Sequence, residues 1–236
     1  MDSTANILPS FLPISLKEMD SVKLLNRVDT KFIFNKSFFY DLLSQITNNY
    51  RILTIKNKQY ASYRTLYFDT NDFKFYMDHH NRKGNRFKVR IRKYMDSDLC
   101  FLEIKNKVKG RTIKSRISIS DFEESLSSGS IAYINSVVPN VNSLQKKIWN
   151  SFDRITLVNQ ERKERLTIDY NLKFEKENDV VDIDHLVICE LKQEKVNRNS
   201  PIYSVLKENN ILPNRISKYC IGSAMLYQLK KNRFKE

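Results

Sequence analysis

Hydrophobic and polar positions alternate with a period of two along much of this chain, the signature of strands with one buried and one wet face. The stretch "NRFKVRIRKY" (85–94) sets Arg86, Lys88, Arg90 and Arg92 on one phase and Phe87, Val89 and Ile91 on the other. "NRVDTKFIF" (26–34) places Arg27, Asp29 and Lys31 opposite Val28, Thr30, Phe32 and Phe34. "YASYRTLYFD" (60–69) is rich in β-formers. "LCFLEIKNKV" (99–108) pairs Glu103, Lys105 and Lys107 against Leu102 and Ile104. "RTIKSRISI" (111–119) carries Lys114 and Arg116 on its polar phase. "ERLTIDYNL" (164–172) sets Arg165, Thr167 and Asp169 against Leu166, Ile168 and Tyr170, and "HLVICELKQ" (185–193) sets Glu190 and Lys192 against Val187, Cys189 and Leu191. Helices fill the gaps. One follows a cap at Asn35, one covers 72–81, one covers 142–152, one opens at Ser200–Pro201, and an amphipathic one runs from Ser217 to about Lys231. The reading is a single domain, 1–236, with a core of about 25–230, because no Pro/Gly/Ser-rich linker divides the chain.

Charge gives these wet phases their meaning. Lysine and arginine number 41 against 27 acids, a formal charge of +14. Such an excess calls for an anionic partner: nucleic acid, an acidic membrane surface or a phosphate-rich small molecule. The cations recur on strand after strand, while only Asp29, Glu103, Asp169 and Glu190 interleave as acids. Two like charges about 6 Å apart repel by roughly 3 kcal/mol at an effective dielectric near 20, so a sheet that crowds them needs solvent, acids or a bound anion to offset the repulsion. Arginine forks match phosphate oxygens and lysine supplies movable point charges. With the apolar phases under helices, the cationic phases can line the lumen of a small barrel. The interleaved acids either neutralise cations or hold a divalent ion that bridges phosphates, since Mg²⁺ and Mn²⁺ take oxygen ligands.

Other chemistries are less well served. The three cysteines are widely spaced and form no CxxC, which argues against a disulfide framework or a zinc site and for a reducing, cytoplasmic setting. No signal peptide and no membrane-spanning run is expected, although a membrane partner stays compatible. His79, His80 and His185 have no ligand-like neighbours in sequence and read as structural or exposed; Trp149 reads as core. Lys107, Lys109 and Arg111 read as turn and rim charges. Nucleic-acid binding is not expected, because base-stacking aromatics should share the cationic face, whereas Phe87 lies on the opposite one.

The ordered motifs resemble the VTC-type polyphosphate polymerase domain of the triphosphate tunnel metalloenzyme (CYTH-like) superfamily. "RVDTK" (27–31), "LYFDT" (66–70), "KVRIRKY" (88–94), "FLEIKNK" (101–107), "IKSR" (113–116), "ERLTID" (164–169), "ICELK" (188–192) and "RISKY" (215–219) resemble its successive elements. The resemblance implies an α+β fold: a closed or nearly closed antiparallel eight-stranded β-barrel, the triphosphate tunnel, with surrounding helices. It implies that Lys31, Arg90, Arg92, Lys105, Lys114 and Arg165 line the tunnel and that Arg215, Ser217 and Lys218 contact phosphates near a mouth. Lys88, Arg116 and Lys192, on the same cationic phases, are candidates to join them. Glu190 would bind Mn²⁺ or Mg²⁺, with Glu103 and Asp29 as weaker candidates; Asp29 stands where the family usually has glutamate. The implied activity is transfer of the ATP γ-phosphate to inorganic polyphosphate. Metal-dependent hydrolysis of tripolyphosphate or another triphosphate, and non-catalytic polyphosphate binding, are the alternatives.

Overall fold

The computed structural model describes residues 8–22, 27–108, 111–141 and 143–231. Its strands are β1 (Pro13–Ile14), β2 (Val28–Asn35), β3 (Arg51–Leu53), β4 (Ala61–Asp69), β5 (Arg86–Tyr94), β6 (Cys100–Val108), β7 (Arg111–Ile119), β8 (Gln145–Asn159), β9 (Glu164–Lys176), β10 (Asp179–Asp182) and β11 (Leu186–Gln193). Its α-helices are α1 (Leu16–Met19), α2 (Phe39–Ile46), α3 (Lys74–His80), α4 (Ser128–Val137), α5 (Pro201–Glu208) and α6 (Lys218–Leu226). The fold is α+β and is built on antiparallel ladders; the short β1–β3 pair is parallel. The seven strands read from the sequence are all present. Asn26 and Lys109 lie outside the described residues.

The chain divides into two compact units. The first comprises Met1–Ala61, Phe152–Leu172 and Ile183–Arg215. In it β11 lies between β2 and β9, with Glu190 opposite both Lys31 and Thr167, and Lys192 opposite both Asp29 and Arg165. Alternation therefore sends Phe32, Phe34, Leu166, Ile168, Val187, Cys189 and Leu191 to the other face. There they form a core with Phe39, Leu42, Leu43 and Ile46 of α2 and with Ile202 and Leu206 of α5. The entry to α2 is set locally: the Asn35 side chain accepts a hydrogen bond from Ser37 N–H at 2.9 Å, starting a short 3₁₀ turn that leads into the helix.

The opening of α5 differs from the expected cap. Pro201 does occupy the first turn, but the Ser200 hydroxyl makes no capping bond. It donates instead to the Glu164 carboxylate at 2.8 Å, as do Tyr50 OH at 2.5 Å and Gln193 Nε2 at 2.7 Å. Glu164 is fully buried. These donors stand in for water around the carboxylate and tie the start of β9 to the end of β11 and the start of α5.

The second unit comprises Ser62–Ser151, Lys173–Asp182 and Ile216–Glu236. Its ladders run β4–β5–β6–β7. Leu66, Phe68, Val89, Ile91, Leu102 and Ile104 form one face, packed with Phe75, Ile134 and Val138. Opposite them, register places Thr65 and Tyr67 beside Arg92 and Arg90, Glu103 between Arg90 and Arg116, and Lys105 between Lys88 and Lys114.

Two expected helices need correction. Asn142 lies outside the described residues and residues 143–152 are not helical: Gln145–Asn159 is the strand β8. Ile148 and Phe152, four apart, satisfy a period of 3.6 and a period of two alike. The deciding residue is Asn150 between them. It is polar but fully buried, because its Nδ2 donates to the Lys173 carbonyl at 3.0 Å. Trp149 points away from Ile148 and packs edge-on against Phe122, with Arg64 over its ring at 4.5 Å. The C-terminal helix ends at Leu226 rather than near Lys231 and is not amphipathic. Tyr219, Cys220, Gly222, Ser223 and Ala224 are all buried, and a side chain at Gly222 would run into Phe174 and Ile148.

Candidate phosphate-binding site

The expected site residues fall into two groups, one in each unit. In the second unit Glu103 is the centre, with only 2% of it exposed. Arg90 grips one of its oxygens through Nε at 2.8 Å and Nη2 at 2.7 Å, and Lys114 Nζ meets the other at 2.5 Å. Burial alone would raise this carboxyl, but the charges of Arg90, Arg92 and Lys114 outweigh it and hold Glu103 below the usual carboxylate range. Burial acts the other way on Lys114 and lowers its ammonium to about 8 against the pull of Glu103. With 40% of its side chain still meeting water, solvent relieves part of that cost. Arg92 is buried and donates to Thr65 Oγ1 at 3.2 Å. Arg116 is exposed and lies over the Phe101 ring at 4.4 Å. Lys105 is half-buried on the same face. Arg86, at the start of β5, turns back to the Lys83 carbonyl at 2.7 Å.

Ser217 and Lys218 join this group through an anchor that the sequence showed only as a motif. Asp69, in "LYFDT", is fully buried and accepts from the backbone N–H groups of Thr70, Phe75 and Tyr76 at 2.8–2.9 Å. It also accepts from Tyr219 OH at 2.5 Å. Burial raises the Asp69 carboxyl, and these donors oppose the shift. The carboxylate thereby fixes the start of α3 and ties Tyr219 of α6 to the end of β4. Two residues before Tyr219, Ser217 Oγ lies 2.6 Å from Lys88 Nζ. Two motifs 150 residues apart thus meet on one carboxylate.

In the first unit, Lys192 Nζ lies 3.2 Å from Glu190 and donates to Thr167 Oγ1 at 2.8 Å; Lys31 Nζ lies 4.0 Å from Glu190. Asp29 pairs with Arg27 at 2.9 Å. Asp169 holds Arg154 in a fork, at 2.5 Å from Nε and 2.8 Å from Nη2. Arg165 contrasts with these pairs: its Nε is buried with no hydrogen-bond partner among the described residues. Burial, then the charges of Arg27 and Arg154, lower its guanidinium, and burial likewise lowers the Lys192 ammonium. Arg215 is exposed and follows Asn214, whose N–H donates to the Lys31 carbonyl at 2.7 Å. Arg154 carries no mark in the sequence: helical spacing describes the segment just before it, the alternation through Phe152, Arg154 and Ile155 is imperfect, and only pairing with Asp169 exposes its role.

Among the described residues no three His, Cys, Asp or Glu side chains gather closely enough to form a metal cage. The donor set that fits a divalent ion best is smaller. Glu190 is partly exposed, and register sets Asp29 on the adjacent diagonal of the same face. One or two carboxylates plus phosphate oxygens suit Mg²⁺ or Mn²⁺. The three cysteines are buried and unbridged, and His80 stacks on Tyr76. No helix among the described residues is long and apolar enough to cross a membrane.

Solved structures resemble the chain at low identity. A protein from Hippeastrum, assigned provisionally as an adenylyl cyclase and described as revealing a dominant triphosphatase activity, is 15% identical with a TM-score of 0.51; the alignment covers 84% of this chain and 96% of that one. A conserved hypothetical protein from Pyrococcus furiosus is 13% identical with a TM-score of 0.45, covering 81% and 97%. The Pct1 RNA triphosphatase of S. pombe is 10% identical with a TM-score of 0.34, covering 89% and 92%. No curated protein matches the chain. The sequence model of the VTC domain matches residues 26–227, most of the chain, and the protein belongs to the VTC domain family.

Proposed function

We propose that the protein is a phosphotransferase that moves the γ-phosphate of ATP onto a polyphosphate chain. The observation that carries this reading is Arg165. Its buried Nε lacks a partner among the described residues, while Arg27, Arg154 and Lys192 raise the positive potential around it against the pull of Asp29 and Glu190. A bound phosphate oxygen would complete that hydrogen bond and offset the crowding. The paired cations differ in kind: Arg90 in the second unit and Arg154 in the first are already engaged by Glu103 and Asp169, so each is held as a fixed positive charge in its own unit. Lys31, Lys105, Lys114, Lys88, Arg92, Arg116, Lys192, Arg215, Ser217 and Lys218 are assigned to phosphate binding.

Phosphoryl transfer asks chiefly for positioning and charge neutralisation, which suits a site without an activated nucleophile. A terminal oxygen of the polyphosphate chain attacks the γ-phosphorus, the bond to the β–γ bridging oxygen breaks, and ADP leaves with that electron pair. The cations hold attacking and leaving oxygens in line and take up the charge that develops on the bridging oxygen. Glu190, with Asp29 on its diagonal, would hold Mg²⁺ or Mn²⁺; when bound, the ion supplies further neutralisation of phosphate oxygens. Hydrolysis, with water in place of the chain end, is the second reading, favoured by the triphosphatase activity named for the Hippeastrum protein of similar fold.

Incubation with ATP and Mn²⁺ should yield polyphosphate and ADP in matched amounts. Orthophosphate from tripolyphosphate with no polymer would select the hydrolase. Tight polyphosphate binding with neither reaction would leave a binding module. Glu190→Gln should remove metal-dependent turnover while most anion binding survives; full turnover in that variant would remove the metal assignment.

A further inference from the structure

One end of the cationic face in the second unit is aromatic, although Phe87, the aromatic that the sequence argument rested on, does lie on the opposite face. Tyr63 of β4, Tyr94 of β5 and Phe101 of β6 stand on the same phase as Arg90, Arg92, Glu103 and Lys114. Tyr63 is the register partner of Tyr94, with ring centroids 4.8 Å apart, and Tyr94 meets Phe101 edge-on at 6.0 Å. Two guanidinium groups cap the cluster: Arg92 lies 5.3 Å from the Tyr63 ring and Arg116 lies 4.4 Å from the Phe101 ring. All three rings are half-buried, so each keeps surface toward solvent. Along β5 the row reads Tyr94, Arg92, Arg90 in steps of about 7 Å.

A bare phosphate chain gains little from such an end, because its oxygens seek donors and not π-faces. A nucleobase gains from both rings and stacked guanidinium planes. We infer that Tyr63, Tyr94 and Phe101, with Arg92 and Arg116, form a platform for the base of a nucleoside triphosphate, whose phosphates then run along the cations toward Arg90 and Lys114. This assignment rests on the phosphate-binding reading above and deepens it: the face takes a nucleotide in one direction, base at Tyr94 and γ-phosphate away from it. The site thereby distinguishes a nucleotide donor from a polyphosphate chain by the aromatic end alone.

The test compares three anions on the intact protein in chelator, by calorimetry: ATP, ribose 5′-triphosphate without a base, and tripolyphosphate. ATP should bind about tenfold more tightly than ribose 5′-triphosphate, the scale of one base stacked on an aromatic ring. Phe101→Leu, which keeps the apolar volume and removes the π-face, should close most of that gap. Equal affinities for ATP and ribose 5′-triphosphate in the intact protein, with both bound, would overturn the platform and leave the phosphate reading standing. A gap unchanged in both Phe101→Leu and Tyr94→Leu would also overturn it. Binding of none of the three would overturn the phosphate reading itself, and this assignment with it.

Discussion

Glu103 shows how one residue serves both folding and function. Removing its charge leaves Arg90, Arg92 and Lys114 facing one another around a buried position. Breaking a buried pair in this way typically costs about 3–5 kcal/mol. Glu103→Gln should therefore unfold at clearly lower denaturant, with part of the loss restored by saturating tripolyphosphate. Because the folded-state carboxyl is lowered, its contribution is complete above the ordinary carboxylate range and fades only as pH falls below it. Lys114 has the opposite sense. Its folded ammonium titrates near 8, below an ordinary lysine at about 10.4, so between these values the unfolded chain holds more protons and stability rises with pH. A bound phosphate favours the charged form. Polyphosphate affinity should accordingly fall as pH rises through about 8, and Lys114→Arg should flatten that decline in a titration series. A decline of equal steepness in the variant would assign the effect to another group.

At the scale of elements, the strands carry the site and the helices hold the strands' apolar faces. Leu42 of α2 is fully buried in the first core, and Leu42→Ala should cost about 2–5 kcal/mol by denaturant titration. The hydrogen bond from Tyr219 to Asp69 couples α6 to β4. Tyr219→Phe keeps the ring and removes the donor; a hydrogen bond to a charged group is worth about 1.5–3 kcal/mol, and the expected result is a loss of that order together with weaker phosphate binding through displaced Ser217 and Lys218. Unchanged anion affinity in that variant would show that the anchor serves stability alone. Six of the seven strands were legible because charged and apolar residues largely alternate in them, and β4 because it is rich in β-formers. β8 was not, since Asn150 stands where an apolar residue would have marked the phase, and its burial depends on the Lys173 carbonyl, 23 residues away.

For the whole molecule, a charge of +14 predicts capture of polyanions with a strong salt dependence. Polyphosphate affinity should drop steeply between low and physiological ionic strength, and polyphosphate should displace any duplex DNA that binds. DNA binding that excess polyphosphate cannot displace would count against the assigned site. The sign and size of the charge are compositional, but its division is not: Lys31, Arg165 and Lys192 gather in one unit and Arg90, Arg92 and Lys114 in the other.

The residues alone determined which side chains share a face, because side-chain direction along a strand has a period of two whatever the strand later pairs with. They also determined that those faces are cationic, and motif order pointed to the family. Register and packing decided the rest. Pairing set Arg90 and Lys114 on Glu103, left Arg165 Nε without a partner among the described residues, brought Asp69 to Tyr219 and put Tyr63 beside Tyr94. The contacts join residues on separate elements, from neighbouring strands (Arg90 and Glu103) to elements 150 residues apart (Asp69 and Tyr219). Their distances depend on which strand lies beside which, and no local pattern of hydrophobic and polar positions contains that information.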